Sequence, residues 1–342
     1  MKKFLTLLVT AAPLVFLSTR AHAQYWNVSG GDNKWETASN WNTSAVPTSA
    51  TFFGGSLVDN VTINLTTASQ ATNAMDINGS GATSNGNNRF TLNITGAGSL
   101  NIGAANSSFV NGGTTDVNGG TVLCSNAWNL GSYSSGPVNT VGTWNLQAGT
   151  QTISKQTVIQ GGTFTVSGGA FTTGRYLQIT SGTMVVQGSS ASITANSGSY
   201  AAGAFQITGG TLSEVFGSTG ISAIMVSGQT TGSAWTLGGA LTANLSLLSL
   251  SADNQYHPFT LINTTGTTVN GTGVFSGPAS VTLGANMVSA DWSFSPTSIV
   301  QTNNGTYKTV YLDVMTVPEP ATWALLAFSL TTVMVLRRRS RA

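Results

Sequence analysis

A short unit recurs through the middle of the chain: an aliphatic residue, a polar residue, a small residue, Gly, Thr, then alternating apolar residues. It reads Val117-Asn118-Gly119-Gly120-Thr121-Val122-Leu123, then Leu146-Gln147-Ala148-Gly149-Thr150 on to Ile153, then Ile159-Gln160-Gly161-Gly162-Thr163-Phe164-Thr165-Val166. It returns as Ile179-Thr180-Ser181-Gly182-Thr183-Met184-Val185-Val186 and as Ile207-Thr208-Gly209-Gly210-Thr211-Leu212, with looser copies at Ile94 to Leu100 and Val110 to Thr114. Alternation places one residue in two on the inner side of a strand. Glycine lets the chain turn through conformations closed to other residues. Threonine suits a strand and carries a hydroxyl on its outer side or at a corner. Short strands repeated in this way bury their faces against one another only by stacking. The expectation is an all-β, right-handed parallel β-solenoid of irregular Gly-Thr repeats over residues 67–250, with β caps at both ends. A β-sandwich, single or multiple, is the alternative. Nothing from Asn27 to Met315 has the three- and four-residue apolar spacing of a helix.

The two ends read differently. Met1 to Ala23 has a charged start at Lys2 and Lys3, an apolar stretch from Phe4 to Leu17, and a small-x-small site at Ala21-His22-Ala23. That is the pattern of a secretory signal peptide over residues 1–23, cut after Ala23 by signal peptidase, with the mature chain starting at Gln24. At the other end stand Val317-Pro318-Glu319-Pro320, an uncharged run from Ala321 to Leu336, and Arg337, Arg338, Arg339, Ser340 and Arg341. The run suits a lipid-embedded helix at the lower edge of the ~17–25 residues that span a bilayer. The arginines are a stop-transfer signal that stays cytoplasmic.

Pro318-Glu319-Pro320, the run at 321–336 and the arginine cluster, in this order at the chain end, resemble the PEP-CTERM sorting signal of Gram-negative bacteria (residues 317–342 here). The resemblance implies that a membrane transpeptidase-like protease, an exosortase, recognises the segment and cuts near Pro318-Glu319-Pro320. The protein would be membrane-inserted through its C-terminal helix before processing, then released or transferred to the surface. An ordinary membrane anchor is the plainer alternative.

With the targeting segments set aside, the charge changes sign. The chain has a formal net charge of +2, but the body keeps only Lys34, Arg89, Lys155, Arg175 and Lys308 against nine acids from Asp32 to Asp313, a net of about −4. A body of that sign lacks the basic patches that neutralise phosphate, so nucleic acid is not an expected partner. Only 6% of residues are charged, so the surface must be Ser, Thr, Asn, Gln and Gly. The lone Cys124 forms no internal disulfide and reads as a small buried apolar residue.

Residues 24–66 are rich in tryptophan, with Trp26, Trp35 and Trp41. The run Trp35-Glu36-Thr37-Ala38-Ser39-Asn40-Trp41 followed by Val46-Pro47 resembles the opening of autotransporter-like repeat proteins, which implies an N-terminal cap over the open end of a strand stack. The sharper reading is a carbohydrate-binding module in which those three rings stack on sugar faces. In residues 251–316, His257-Pro258-Phe259-Thr260-Leu261-Ile262-Asn263 and the alternating Tyr307 to Val314 resemble the C-terminal part of the same proteins and imply a β cap.

Catalytic groups are sparse. His257 is the body's one histidine, and it begins a strand before Pro258. No Cys/His cluster suggests a metal, and no cofactor is called for. A polysaccharide lyase or glycoside hydrolase on a β-helix would draw on Asp76, Asp116, Glu214, Arg89, Lys155 and Arg175. These are single, widely separated, and not at a spacing that clearly aligns any two. The expectation is a non-enzymatic, exported structural or adhesive protein of the cell surface or extracellular matrix. Its partners would be exopolysaccharide or other copies of itself.

Overall fold

The computed structural model describes residues 24–25, 32, 34–47, 51–53, 61–66, 70–72, 75–77, 90–103, 108–110, 114–131, 142–196, 201, 203–265, 271–273, 275–276, 279–294, 309–316 and 320–339. Among them the chain is mostly β, with a 3-10 turn at Ala38–Asn40 and an α-helix at Pro320–Arg339. The signal peptide, with Ala21 and Ala23, lies outside the described residues, as do Trp26, Arg89, Pro318, Glu319 and Arg341.

One sheet is parallel from end to end. Its strands run in chain order from Gln24–Tyr25 and Thr51–Phe53, through Trp128–Leu130, Thr157–Ile159, Leu177–Ile179, Phe205–Ile207 and Trp235–Leu237, to Thr272–Gly273. The other strands form a second sheet that closes on itself. It contains two further parallel ladders. One runs through Val61–Leu65, Phe90–Thr95, Thr163–Val166, Thr183–Gln187 and Thr211–Val215; the other runs through Gly169–Thr173, Ala191–Asn196 and Ile224–Ser227. The long strands Thr114–Cys124 and Thr143–Ile153 belong to both, because each bends at a glycine: Gly119 has φ 95° and Gly149 φ 86°. Each repeat thus contributes one strand to each ladder and pairs with the same strands of the next repeat. This parallel pairing differs from the antiparallel sheets of a β-sandwich.

The Gly-Thr pair of the repeat has a structural reason that the sequence reading missed. The N–H of Thr163 donates to Gly142 O, Thr183 to Gly162 O, Thr211 to Gly182 O and Ala240 to Gly210 O, at 2.9–3.0 Å. The glycines themselves sit where no side chain fits. A Cβ on Gly182 would lie 2.5 Å from Ile159 Cγ2 and 2.7 Å from Gly162 O. Gly210 is confined in the same way by Ile179 and Gly182. Close approach of successive repeats, rather than a positive φ, fixes these glycines; no positive φ occurs at Gly162, Gly182 or Gly210.

The core lies between the ladders. Leu130, Ile159, Ile179, Ile207 and Leu237 form one inward column in register, each fully or almost fully buried. Trp144, Phe164, Met184, Leu212 and Leu241 form another. Trp128 packs edge-on against Trp144 with centroids 4.6 Å apart, and Phe164 against Phe171 at 4.8 Å. At about 1.5–3 kcal/mol for each large apolar side chain buried, these columns supply the main attraction between repeats. Cys124 is buried, in register with Ile102 and Ile153, as its composition suggested.

Parallel pairing continues on both sides of residues 66 and 250. Thr51–Phe53 pairs with Met75–Ile77, and Val61–Leu65 with Phe90–Thr95, across residue 66. Tyr256–Thr265 pairs in parallel with Ile224–Ser227 across residue 250. Only beyond that does the pairing change: Thr309–Thr316 lies antiparallel between Tyr256–Thr265 and Met287–Phe294. The transmembrane helix expected at 321–336 needs correction. A helix forms over Pro320–Arg339, but among the described residues no helix is long and apolar enough to cross a membrane. Ser329, Thr331, Thr332 and the closing arginines dilute the apolar run.

Candidate functional site

Strand alternation sends one residue in two outward, and the repeat puts threonine at the same outward position each time. Thr62, Thr91, Thr114, Thr143, Thr163, Thr183 and Thr211 stand in unbroken register. Thr62 is exposed, and Thr114, Thr143, Thr163, Thr183 and Thr211 are half-buried, as expected of side chains flanked by their own copies. Two residues on, a second row runs Asn64, Asn93, Asp116, Asn145 and Thr165. Asn93 Nδ2 donates to Asn64 Oδ1 at 3.2 Å, and Asn145 Nδ2 to Asp116 Oδ1 at 2.7 Å; each pair is 29 residues apart in the chain. Parallel strands repeat at about 4.8 Å, and two residues advance about 6.6 Å, so the rows make a regular lattice of hydroxyl and amide groups. Asp116 is its one charge. Apart from Asp116, no member of either row figured among the sequence's candidate residues; the signal was there as Thr-x-Asn and Thr-x-Thr, but only register shows that they align.

The candidate catalytic residues fall on separate lines. Asp116 belongs to the outer amide row. Asp76 holds a place in the first sheet, in register with Phe52 and Phe109. Glu214 faces the core: it is fully buried, in register with Val186 and Ala243, and its carboxyl makes no hydrogen bond among the described residues. Loss of hydration pushes its pKa well above the usual carboxylate range. The expectation that no two of these residues align fails for the cations. Lys155 and Arg175 occupy matching corners of adjacent repeats, where Arg175 N–H donates to Lys155 O at 3.1 Å, and both side chains are exposed.

Trp35 and Trp41, the two described tryptophans of the N-terminal segment, do not lie side by side as a stacking platform. Trp35 is 0% and Trp41 1% exposed, and their rings meet edge to face, 5.0 Å apart at 68°. Trp41 Nε1 donates to Trp35 O at 2.9 Å. A sugar reaches neither face, because the apolar rings gain more by closing over the first strands. Beside them Asp32 accepts from Thr37 Oγ1 at 2.6 Å, Asn40 Nδ2 at 2.7 Å and Lys34 N–H at 3.1 Å. These bonds hold its carboxyl down at about 2.

At the other end, Asp253 Oδ1 accepts from Thr316 Oγ1 at 2.9 Å, His257 Nε2 at 3.1 Å and Gln255 N–H at 3.1 Å. The Thr316 hydroxyl, then His257 and the backbone, keep the Asp253 carboxyl below its ordinary value. His257 is thus engaged by one carboxylate at the edge of the last strands. Past this point the C-terminal helix exposes Leu325, Leu326, Phe328, Leu330, Val333 and Met334. At 100° per residue these cover about two thirds of the helix circumference, and Ala324, Ala327 and Thr331 fall in the remaining sector. Its Ser329 and Thr332 hydroxyls donate to Leu326 O and Phe328 O, both at 2.8 Å, and Thr331 donates to Ala327 O. Among the described residues no group of three or more His, Cys, Asp and Glu is placed to hold a metal ion. Comparison of the chain with protein-family models, with curated proteins and with solved structures finds no match.

Proposed function

We propose that this chain is an exported structural or adhesive protein of the cell surface or extracellular polymer matrix. In this reading its body is a right-handed parallel β-solenoid and its tail a sorting segment. The observation that carries the reading is the outer threonine row with its amide neighbour, continuous from Thr62 to Thr211 and almost free of charge. Such a face offers neutral, regularly spaced hydrogen-bonding groups to a polymer, such as exopolysaccharide, or to further copies of the chain. Right-handed winding is the sense that parallel strand connections favour. Replacing Thr143, Thr163 and Thr183 together by Glu puts like charges one strand apart on that face. Retention on matrix polymer in a pull-down should drop at least tenfold while the circular dichroism spectrum is kept. Equal retention would overturn the reading.

The tail supports export. A helix apolar on every side is stable in lipid or inside a protein rather than in water. Its Ser329, Thr331 and Thr332 hydroxyls satisfy themselves on carbonyls of their own helix, as lipid requires. A helix too short in apolar length to cross unaided suits a segment held at the membrane by exosortase-type machinery and then removed. Replacing Pro318, Glu319 and Pro320 by alanine should leave the protein in the membrane fraction. Unchanged release to the surface would sink the sorting reading, and the mass of the mature ends tests it together with signal-peptide cleavage at Ala23.

A further inference from the structure

We propose that Asp253 is a positioning residue that clamps the junction between body and tail, so that proteolytic processing starts beyond Thr316. The proposal rests on the tail being a processed segment. Thr316 is the last residue of its strand and is fully buried, and it is held three ways. Its hydroxyl donates to Asp253 Oδ1, its N–H donates to Gln255 O at 3.2 Å, and its strand pairs on both sides, with Tyr256–Thr265 and Met287–Phe294. The Asp253 carboxylate is fixed in turn by the N–H of Gln255 and by His257. Val317, Pro318 and Glu319 follow directly, before the helix that begins at Pro320.

A protease needs the chain locally open on both sides of the bond it cuts, and the rate then follows the open population. The clamp closes the body side at Thr316. Hydrolysis, which adds one water across a peptide bond and leaves a carboxylate on the body and an amine on the tail, is thereby directed to the segment after Thr316. The released body keeps its closing strand.

The test uses the full chain in detergent with thermolysin, which cuts before bulky apolar residues, and reads cut sites and rates by mass spectrometry. In the unaltered chain no cut should fall before Val310, Leu312, Val314 or Met315. Asp253→Ala and Thr316→Val should each admit cuts there at least tenfold faster, since each removes a hydrogen bond to a charged acceptor. Thr316→Ser keeps the hydroxyl and should restore the original boundary. Thermal melting followed by circular dichroism guards against general unfolding, and Thr316→Val decides if Asp253→Ala fails to fold. The same sites and rates in all variants would overturn the clamp. Because no sorting machinery takes part, a clamp that passes this test while the alanine tail variant still reaches the surface refutes sorting alone.

Discussion

Glu214 is the residue most at odds with its surroundings. Its column is otherwise apolar, Val186 on one side and Ala243 on the other, and burial disfavours its charged form. A carboxyl whose folded pKa is raised binds its proton more tightly folded than unfolded. Its contribution is therefore intact below its ordinary value of 4.5 and is lost as pH rises above it, at up to about 1.4 kcal/mol per pH unit until the folded pKa is reached. Glu214→Met should raise stability by about 1–3 kcal/mol at neutral pH and flatten the pH dependence of the denaturant midpoint on the alkaline side. Gly182 makes the opposite case. A methyl there meets Ile159 and the Gly162 carbonyl, so Gly182→Ala should cost about 1–3 kcal/mol in the same denaturation experiment. The sequence points two ways for the first residue and hides the second. Glu214 sits in an alternating Thr211–Val215 strand whose phase marks it as inward, yet its charge suggested a surface site. The repeat glycines were read as turns, because chain-to-chain closeness is invisible until the repeats are stacked.

Among elements, strands were legible where apolar and polar residues alternate, as in Thr163–Val166 and Thr309–Thr316. What stayed hidden was which outward positions line up, since repeats of unequal length disguise a fixed register. Hydrogen-bonded partners on adjacent repeats are 28 residues apart for Gln178 and Gln206 but 36 for Thr236 and Thr272. The sequence around Ala38–Asn40 reads as an aromatic cap or a sugar platform, and nothing in it singles out Asp32 as the group that organises the turn. The Asp32 carboxylate is exposed, so its influence is local. A lowered pKa means that its contribution is present above the ordinary 3.8 and is lost as pH falls toward 2. Hydrogen exchange at Trp35 and Trp41 should therefore speed up below about pH 3 without general unfolding. Asp32→Ala should show the faster exchange already at pH 7, and unchanged exchange in both conditions would remove Asp32 from that role.

For the whole molecule, the governing feature among the described residues is that each parallel ladder joins one repeat to the next, with the antiparallel strand Thr309–Thr316 standing outside this pattern. Stability should then behave as a sum of repeat terms and neighbour contacts rather than as one indivisible core. Thr157 to Tyr176 make one complete repeat, because Thr157 is in register with Leu177 and with Trp128 before it. Removing that segment joins Gln156 to Leu177 and brings Trp128, Trp144 and Ile153 against Leu177, Met184 and Ala195, buried apolar residues in the same columns. Thr143 and Thr183 become neighbours, and the threonine row closes without a gap. The shortened protein should keep its strand-type circular dichroism spectrum and its retention on matrix polymer, with a lower urea midpoint. Removing half of that segment, from Thr157 to Val166, instead leaves Gly169–Thr173 facing the wrong ladder and should abolish cooperative unfolding. A single globular core would respond the other way, losing its fold to either deletion, so the pair of deletions decides between a stack of repeats and a closed barrel.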